Sequence, residues 1–180
     1  MPSIATRTGD DGTTSLLYGQ RVAKNHPQIE TVGAYDELNV TLGAIKVLLS
    51  ENARDVAIRD LLTRVQRNLI ALMGEISCAE TDATRYAESK FEKLTPADLS
   101  RLDDALAELE QRGLKFDHWA TPGVNARSIA FETARVTARR AERNLVALPA
   151  QGHSVRPLVR EFTNRLSDLL WLLAREAEQA

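Results

Sequence analysis

Residues 58–76 read IRDLLTRVQRNLIALMGEI, and Ile58, Leu61, Leu62, Val65, Leu69, Leu72, Met73 and Ile76 recur at intervals of three and four. That period is the apolar stripe of an amphipathic helix. Upstream, Tyr35, Leu38, Leu42, Ile45 and Leu49 carry the same period, predicting a first helix from about His26 to Leu49. Downstream, the period vanishes in AETDATRYAESKFEKL (79–94), which reads as a charged surface connection. A third helix is punctuated by Thr95 as N-cap, Pro96 at the first helical position and Asp98 in the first turn. It carries Leu99, Leu102, Leu106 and Leu109 and stops at Gly113.

A fourth helix follows the break at Thr121-Pro122-Gly123 and runs to about Leu148. Its apolar residues Ala130, Ala134, Ala138, Ala141 and Leu145 fall within an arc of about 80°, a face narrow enough in side chain for a neighbouring helix to approach closely. After the loop Pro149–His153, a fifth helix puts Leu158, Phe162, Leu166, Leu169, Leu170 and Leu173 on one side. Asn164, Asp168 and Trp171 point away from it. No stretch alternates long enough to predict a strand, and no repeat of 20–50 residues occurs. The fold class is therefore all-α, a bundle of about five helices. Polar and aromatic residues opposite the apolar stripes suggest that copies of the chain meet there as a homo-oligomer.

With 180 residues, the chain is long enough for one domain that buries roughly two-thirds of its unfolded surface without staples. Its 23 Lys and Arg balance 25 Asp and Glu, which argues against a nucleic-acid surface. The lone Cys78 reads as a buried structural thiol. The N-terminus has no apolar leader segment and no run of 18 uncharged apolar residues occurs, so a soluble, cytoplasmic protein without a membrane span is expected.

Two segments carry chemistry. The stretch ARVTARRAER (134–143) places Arg135, Arg139 and Arg143 at successive i,i+4 positions, where like charges repel unless an anion is present. The bland reading is a solvated face compensated by Glu132 and Glu142. Arg135 also has a candidate partner in Asp36, on another helix. The second segment is Thr6-Arg7-Thr8-Gly9-Asp10-Asp11-Gly12-Thr13-Thr14-Ser15, dense in hydroxyls, glycines and backbone N–H groups. Such composition suits a phosphate cradle, or alternatively a pair of tight turns. It has neither the spacing of a P-loop nor the strand that precedes a dinucleotide turn. Lys24 adds a cation nearby. The histidines His26, His118 and His153 show no metal-ligand spacing, and no nucleophile-base pattern is present. Trp119 is either a plug for a helix junction or the wall of a ligand pocket.

Taken together, TRTGDDGTTS (6–15), VGAYDELN (32–39), Pro122-Gly123, ARVTARRAER (134–143) and NRLSD (164–168) make the chain resemble the PduO-type ATP:cob(I)alamin adenosyltransferases over nearly all its length. The resemblance implies a single cobalamin adenosyltransferase domain over 1–180, with an ATP-binding loop (1–25) and a ferritin-like up-and-down helical bundle (26–180), assembled as a homotrimer with sites between subunits. It implies transfer of the 5′-deoxyadenosyl group of ATP to the cobalt of cob(I)alamin, with release of triphosphate. Carried over by motif, Thr6, Arg7, Thr8, Gly9, Asp10, Gly12, Thr14, Ser15 and Lys24 bind ATP from one subunit. Arg139, Arg140, Glu142, Arg143 and Asn164 bind it from the neighbour, with Arg139, Arg143 and Asn164 as the catalytic group. Asp36 and Arg135 match an intersubunit salt bridge, and Mg²⁺ is expected through the ATP phosphates.

The corrin side departs from the family pattern. Trp119 stands where related enzymes have a phenylalanine, with Phe116 and His118 as further candidates to line the cobalamin pocket. The reductant that supplies Co(I) and an adenosylcobalamin-dependent enzyme are implied partners. A competing reading is a nucleotide-binding regulatory bundle without corrinoid turnover.

Overall fold

The computed structural model describes residues 5–115 and 119–179. Five long helices dominate: α1 (Pro27–Val47), α2 (Ala53–Ile76), α4 (Pro96–Gln111), α5 (Ala126–Ala147) and α6 (Pro157–Gln179). Their boundaries lie within a few residues of those the periodicity predicts. The helix starts are chemically defined. His26 Nδ1 accepts from Gln28 N at 3.3 Å, and Asn52 Oδ1 from Asp55 N at 2.8 Å. Asn125 Oδ1 accepts from Ser128 N at 2.8 Å. Before α4, Asp98 Oδ2 accepts from both the backbone N–H (3.0 Å) and the hydroxyl (2.6 Å) of Thr95.

The stripes meet in one core. Tyr35, Leu38, Leu42 and Ile45 of α1 and Ile58, Leu62, Val65, Leu69 and Leu72 of α2 pack with Phe131, Ala134, Ala138 and Ala141 of α5. Phe162, Leu166, Leu169 and Leu170 of α6 complete that core. Helix α5 packs against both α1 and α6, α4 lies on α6, and α2 lies on α1. The alanine face of α5 is what lets it sit between two helices, since short side chains reduce the distance between axes.

Two expectations change. A two-stranded antiparallel hairpin, β1 (Thr13–Ser15) with β2 (Arg21–Ala23), pairs Thr14 with Val22, where no strand is expected from the sequence. Three residues per strand are too few to show an alternating pattern. The stretch 79–94 is also more than a surface connection. It contains a 3₁₀ turn (Glu80–Asp82) and the short helix α3 (Ala83–Ala87), and it buries Tyr86 and Leu94. Cys78 is a free, buried thiol, as the sequence suggests.

Candidate functional site

The N-terminal loop is held in shape by its own side chains. Asp11 Oδ1 accepts from the backbone N–H (2.9 Å) and the hydroxyl (2.7 Å) of Thr13, which hold its carboxyl below the usual range. Arg21, on β2, donates to Thr8 O at 2.7 Å and to Ser15 Oγ at 3.2 Å, touches the Thr13 hydroxyl, and lies 3.5 Å from Asp11. Gly12 N donates to Gly9 O (3.2 Å) and Lys24 N to Gly12 O (2.9 Å). A Cβ on Gly9 would sit 3.1 Å from Lys24 Nζ and 3.2 Å from Thr13 O, so the absent side chain lets lysine and loop approach. The hydroxyls of Thr6 and Thr8 are 3.0 Å apart. Arg7 takes φ 58°, a left-handed backbone that costs a non-glycine residue of order 1 kcal/mol. Thr6, Arg7, Thr8, Asp10, Gly12 and Ser15 are exposed, and Gly9 and Thr14 are half-buried.

This loop hangs on the end of α2. Leu17 N donates to Ser77 O at 2.8 Å, the Gln20 side-chain amide donates to Asp82, and the Arg85 guanidinium lies 3.9 Å over the Tyr18 ring. Gln28 Nε2, at the start of α1, reaches Ile76 O (2.9 Å) and Cys78 O (3.1 Å). Arg21 is the loop residue that sequence reading missed. Its only signal is a cation after a Gly-containing turn.

On α5 the arginines divide. Arg135 Nε donates to Glu132 Oε2 at 2.6 Å, while Glu132 Oε1 accepts from Arg175 Nη2 at 2.5 Å. Glu132 and Arg175 are only 4% and 3% exposed, so this carboxylate is a buried junction between α5 and α6 rather than a solvated counter-charge. Within the chain, Arg135 therefore pairs with Glu132, and Asp36 lies exposed on α1. Arg140 is ion-paired to Glu37 of α1. Arg139 and Arg143 are exposed and make no hydrogen bond or ion pair among the described residues.

Asn164 sits beside Thr163 on α6. The Tyr35 hydroxyl is 2.8 Å from Thr163 Oγ1, which itself donates to Val159 O at 2.9 Å, so the tyrosine is the donor in that pair. Burial pushes the Tyr35 phenol well above its usual range. Asn164 Oδ1 accepts from Arg165 Nη1 at 3.3 Å. Glu142 is half-buried near Tyr35.

Within one chain, then, the candidate residues form two groups. No hydrogen bond or ion pair among the described residues joins the loop (6–24) to Arg139, Arg140, Glu142, Arg143 or Asn164. Trp119 is 99% exposed, which removes the reading as a plug for a helix junction. Phe116 and His118 lie outside the described residues. Among the described residues no group of three or more His, Cys, Asp and Glu could hold a metal, and no helix is long and apolar enough to cross a membrane.

The model of the family described as cobalamin adenosyltransferase matches residues 4–177. The chain is 36% identical over 173 residues to the corrinoid adenosyltransferase PduO of Salmonella typhimurium, covering 96% of this chain and 49% of that protein. It thus spans about half the length of that relative. It is 36% identical over 180 residues to a cobalamin adenosyltransferase of Cupriavidus metallidurans, covering 100% of this chain and 90% of the other. Among solved structures, a phenylalanine-to-histidine variant of the PduO-type ATP:corrinoid adenosyltransferase from Lactobacillus reuteri, complexed with cobalamin and ATP, superimposes with a TM-score of 0.86. It shares 28% identity, with 98% of this chain and 91% of that one covered.

Proposed function

The chain belongs to the cobalamin adenosyltransferase family, and on that premise we propose that it transfers the 5′-deoxyadenosyl group of ATP to the cobalt of cob(I)alamin. In this reaction the Co(I) electron pair forms the Co–C5′ bond, the C5′–O bond breaks, and its electrons leave with triphosphate. The metal of the corrin is itself the nucleophile, so the protein has no need of a serine, cysteine or general base. Its task is alignment, and stabilisation of charge on the departing triphosphate.

The observation that carries this reading is the division of the arginines on α5. Arg135 and Arg140 are tied to Glu132 and Glu37, whereas Arg139 and Arg143 are exposed without a counter-charge among the described residues. In our reading, those two cations and Asn164 hold the triphosphate. Thr6, Arg7, Thr8, Gly9, Asp10, Gly12, Thr14, Ser15 and Lys24 hold the nucleotide from the opposite side, with Arg21 fixing the loop. Glu142 contributes at the rim, and Arg140 acts there through the α1–α5 contact. Mg²⁺ enters with the ATP phosphates.

Since one chain keeps the two groups apart, we read the site as intersubunit. Helices α1 to α6, apart from the short α3, form a five-helix bundle, and three such single-domain chains form the enzyme. The outer faces of α1 and α5 support this, because both expose aliphatic side chains, Val40 and Val47 on α1 and Ile129 and Val136 on α5. Asp36 lies on that face of α1, where it would reach Arg135 of a neighbour. Trp119 would stand against the corrin, a use that suits an aromatic ring left fully in solvent by its own chain. We place the activity in the cytoplasm, fed by a reductase and supplying an adenosylcobalamin-dependent enzyme.

The test is direct. Purified protein given ATP, Mg²⁺ and chemically reduced cobalamin should produce the absorbance spectrum of adenosylcobalamin. A folded oligomer that binds ATP and leaves the cob(I)alamin spectrum unchanged would instead be the regulatory bundle.

A further inference from the structure

Behind the hairpin's anchor, the end of α2, helix α3 and the segment that leads into α6 line a cleft of about 310 Å³. It shares no residue with the two groups assigned to ATP. Cys78, Ala79, Ala83, Ala87 and Tyr86 give it an apolar lining. Its ionic groups are all engaged within the wall, one pair by mutual neutralisation and the others by hydrogen bonds to backbone. Arg156 makes a bidentate pair with Glu75, Nε to Oε1 at 2.7 Å and Nη2 to Oε2 at 2.6 Å. Lys93 Nζ donates to Ser89 O (2.8 Å) and Phe91 O (3.1 Å) and lies 5.2 Å over the Tyr86 ring. Glu80 accepts from the backbone N–H of Ser154.

One polar group is left over. His153 is about nine-tenths buried, and its Nδ1 makes no hydrogen bond although Glu80 Oε1 lies 3.3 Å away. Burial holds the imidazole below its usual range, which keeps it neutral at pH 7 and able to donate or accept at that nitrogen. A buried polar atom without a partner costs roughly as much as a lost hydrogen bond, so a ligand that supplies one binds preferentially.

We propose that this cleft is a second ligand site, which takes a small uncharged aromatic molecule bearing one hydroxyl or N–H group against His153 Nδ1. An uncharged ligand suits the wall because Arg156 and Glu75 neutralise each other and the one unpartnered polar atom is on a neutral imidazole, while Lys93 and Glu80, of opposite sign, are both hydrogen-bonded to backbone groups. The volume lies at the small end for ligand pockets and fits one or two rings. The ring lies against the alanines and Tyr86, and the polar group meets the imidazole. This site is independent of the proposed adenosyl transfer, and binding to it can be measured without ATP or cobalamin.

The experiment compares phenol with toluene, which has the same ring without the hydroxyl, by NMR titration of the intact protein. Phenol should bind at least tenfold more tightly than toluene, and in His153→Leu the difference should fall below twofold. Equal affinities in the unaltered protein, absence of binding, or a preference that survives in His153→Leu would overturn the proposal. Should that variant fail to fold, the unaltered protein still decides, since Cys78 lines the cleft and is the chain's only thiol. Phenol should slow reaction of Cys78 with a disulfide reagent and toluene at equal concentration should not. Equal rates with both compounds would overturn the proposal.

Discussion

Arg140 of α5 and Glu37 of α1 are joined by an ion pair that ties the arginine-bearing helix to its neighbour. Both side chains are about half exposed, so the pair contributes on the order of 0.2–1 kcal/mol. Arg140→Ala should therefore lower thermal stability slightly and alter ATP KM far less than changes at Arg139. Exchanging the two charges, Arg140→Glu with Glu37→Arg, should restore the melting temperature. If Arg140→Ala instead raises ATP KM as much as Arg139→Ala does, the arginine touches nucleotide directly.

Arg139 and Arg143 make no intrachain bond among the described residues, so their removal separates function from stability. Arg139→Ala or Arg143→Ala should leave the melting temperature of the isolated chain within about 1 °C. Each should lower kcat/KM on the order of 100-fold, the scale for losing one charge-stabilising donor in a transition state. Steady-state kinetics with ATP varied, alongside a melting curve, checks both halves.

Glu132 behaves in the opposite way. Its carboxylate is buried between Arg135 and Arg175, and deleting it leaves the buried Arg175 guanidinium with a single carboxylate, Glu178 at 3.0 Å. Glu132→Ala should destabilise by about 3–5 kcal/mol, the cost of breaking one side of a buried ion pair. In a chain of this size that lowers Tm on the order of 10 °C. Urea unfolding at pH 7 measures it.

A pH dependence follows from Asp55 at the start of α2. Burial alone would raise its carboxyl, but hydrogen bonds from the hydroxyl and backbone N–H of Ser50 and the Arg127 guanidinium outweigh burial and hold it below the usual range. A depressed carboxylate stabilises the fold above its unfolded value of about 3.9 and loses that contribution as pH falls through the folded value. The stability gap between the unaltered chain and Asp55→Asn should be widest near pH 7 and close below about pH 4. Urea melts across that range would show it.

Trp119 touches almost nothing of its own chain. Trp119→Ala should leave both Tm and ATP affinity unchanged while impairing adenosylcobalamin formation from cob(II)alamin and a reductant. Loss of ATP binding in this variant would remove Trp119 from the corrin side.

The helices were legible because a stripe repeating every three to four residues depends only on local sequence, as in Ile58–Ile76, and because Thr95 and Asp98 announce a helix start within four residues. The hairpin was not, since TTS and RVA are each shorter than the pattern that identifies a strand. Arg21 and Lys24 acquire their places only once that hairpin closes. The sorting of the arginines lay further out of reach. Glu132 reads as a solvent-facing acid until α6 brings Arg175 over it, and Glu37 is one of many surface carboxylates until α1 meets α5. Among the described residues no hydrogen bond or ion pair joins Arg139 to the loop, and no pattern in the sequence says whether they meet.

The carbonyl groups of residues 76, 77 and 78 would be left bare where α2 ends, and each is taken by the N-terminal segment: Gln28 serves the first and third, Leu17 the second. The N-terminal loop and the start of α1 are therefore together the stopper of a core helix. A chain shortened past Leu17 would bare the carbonyl of Ser77 while Gln28 still held its two neighbours, so the end of α2 would lose one of its three ties.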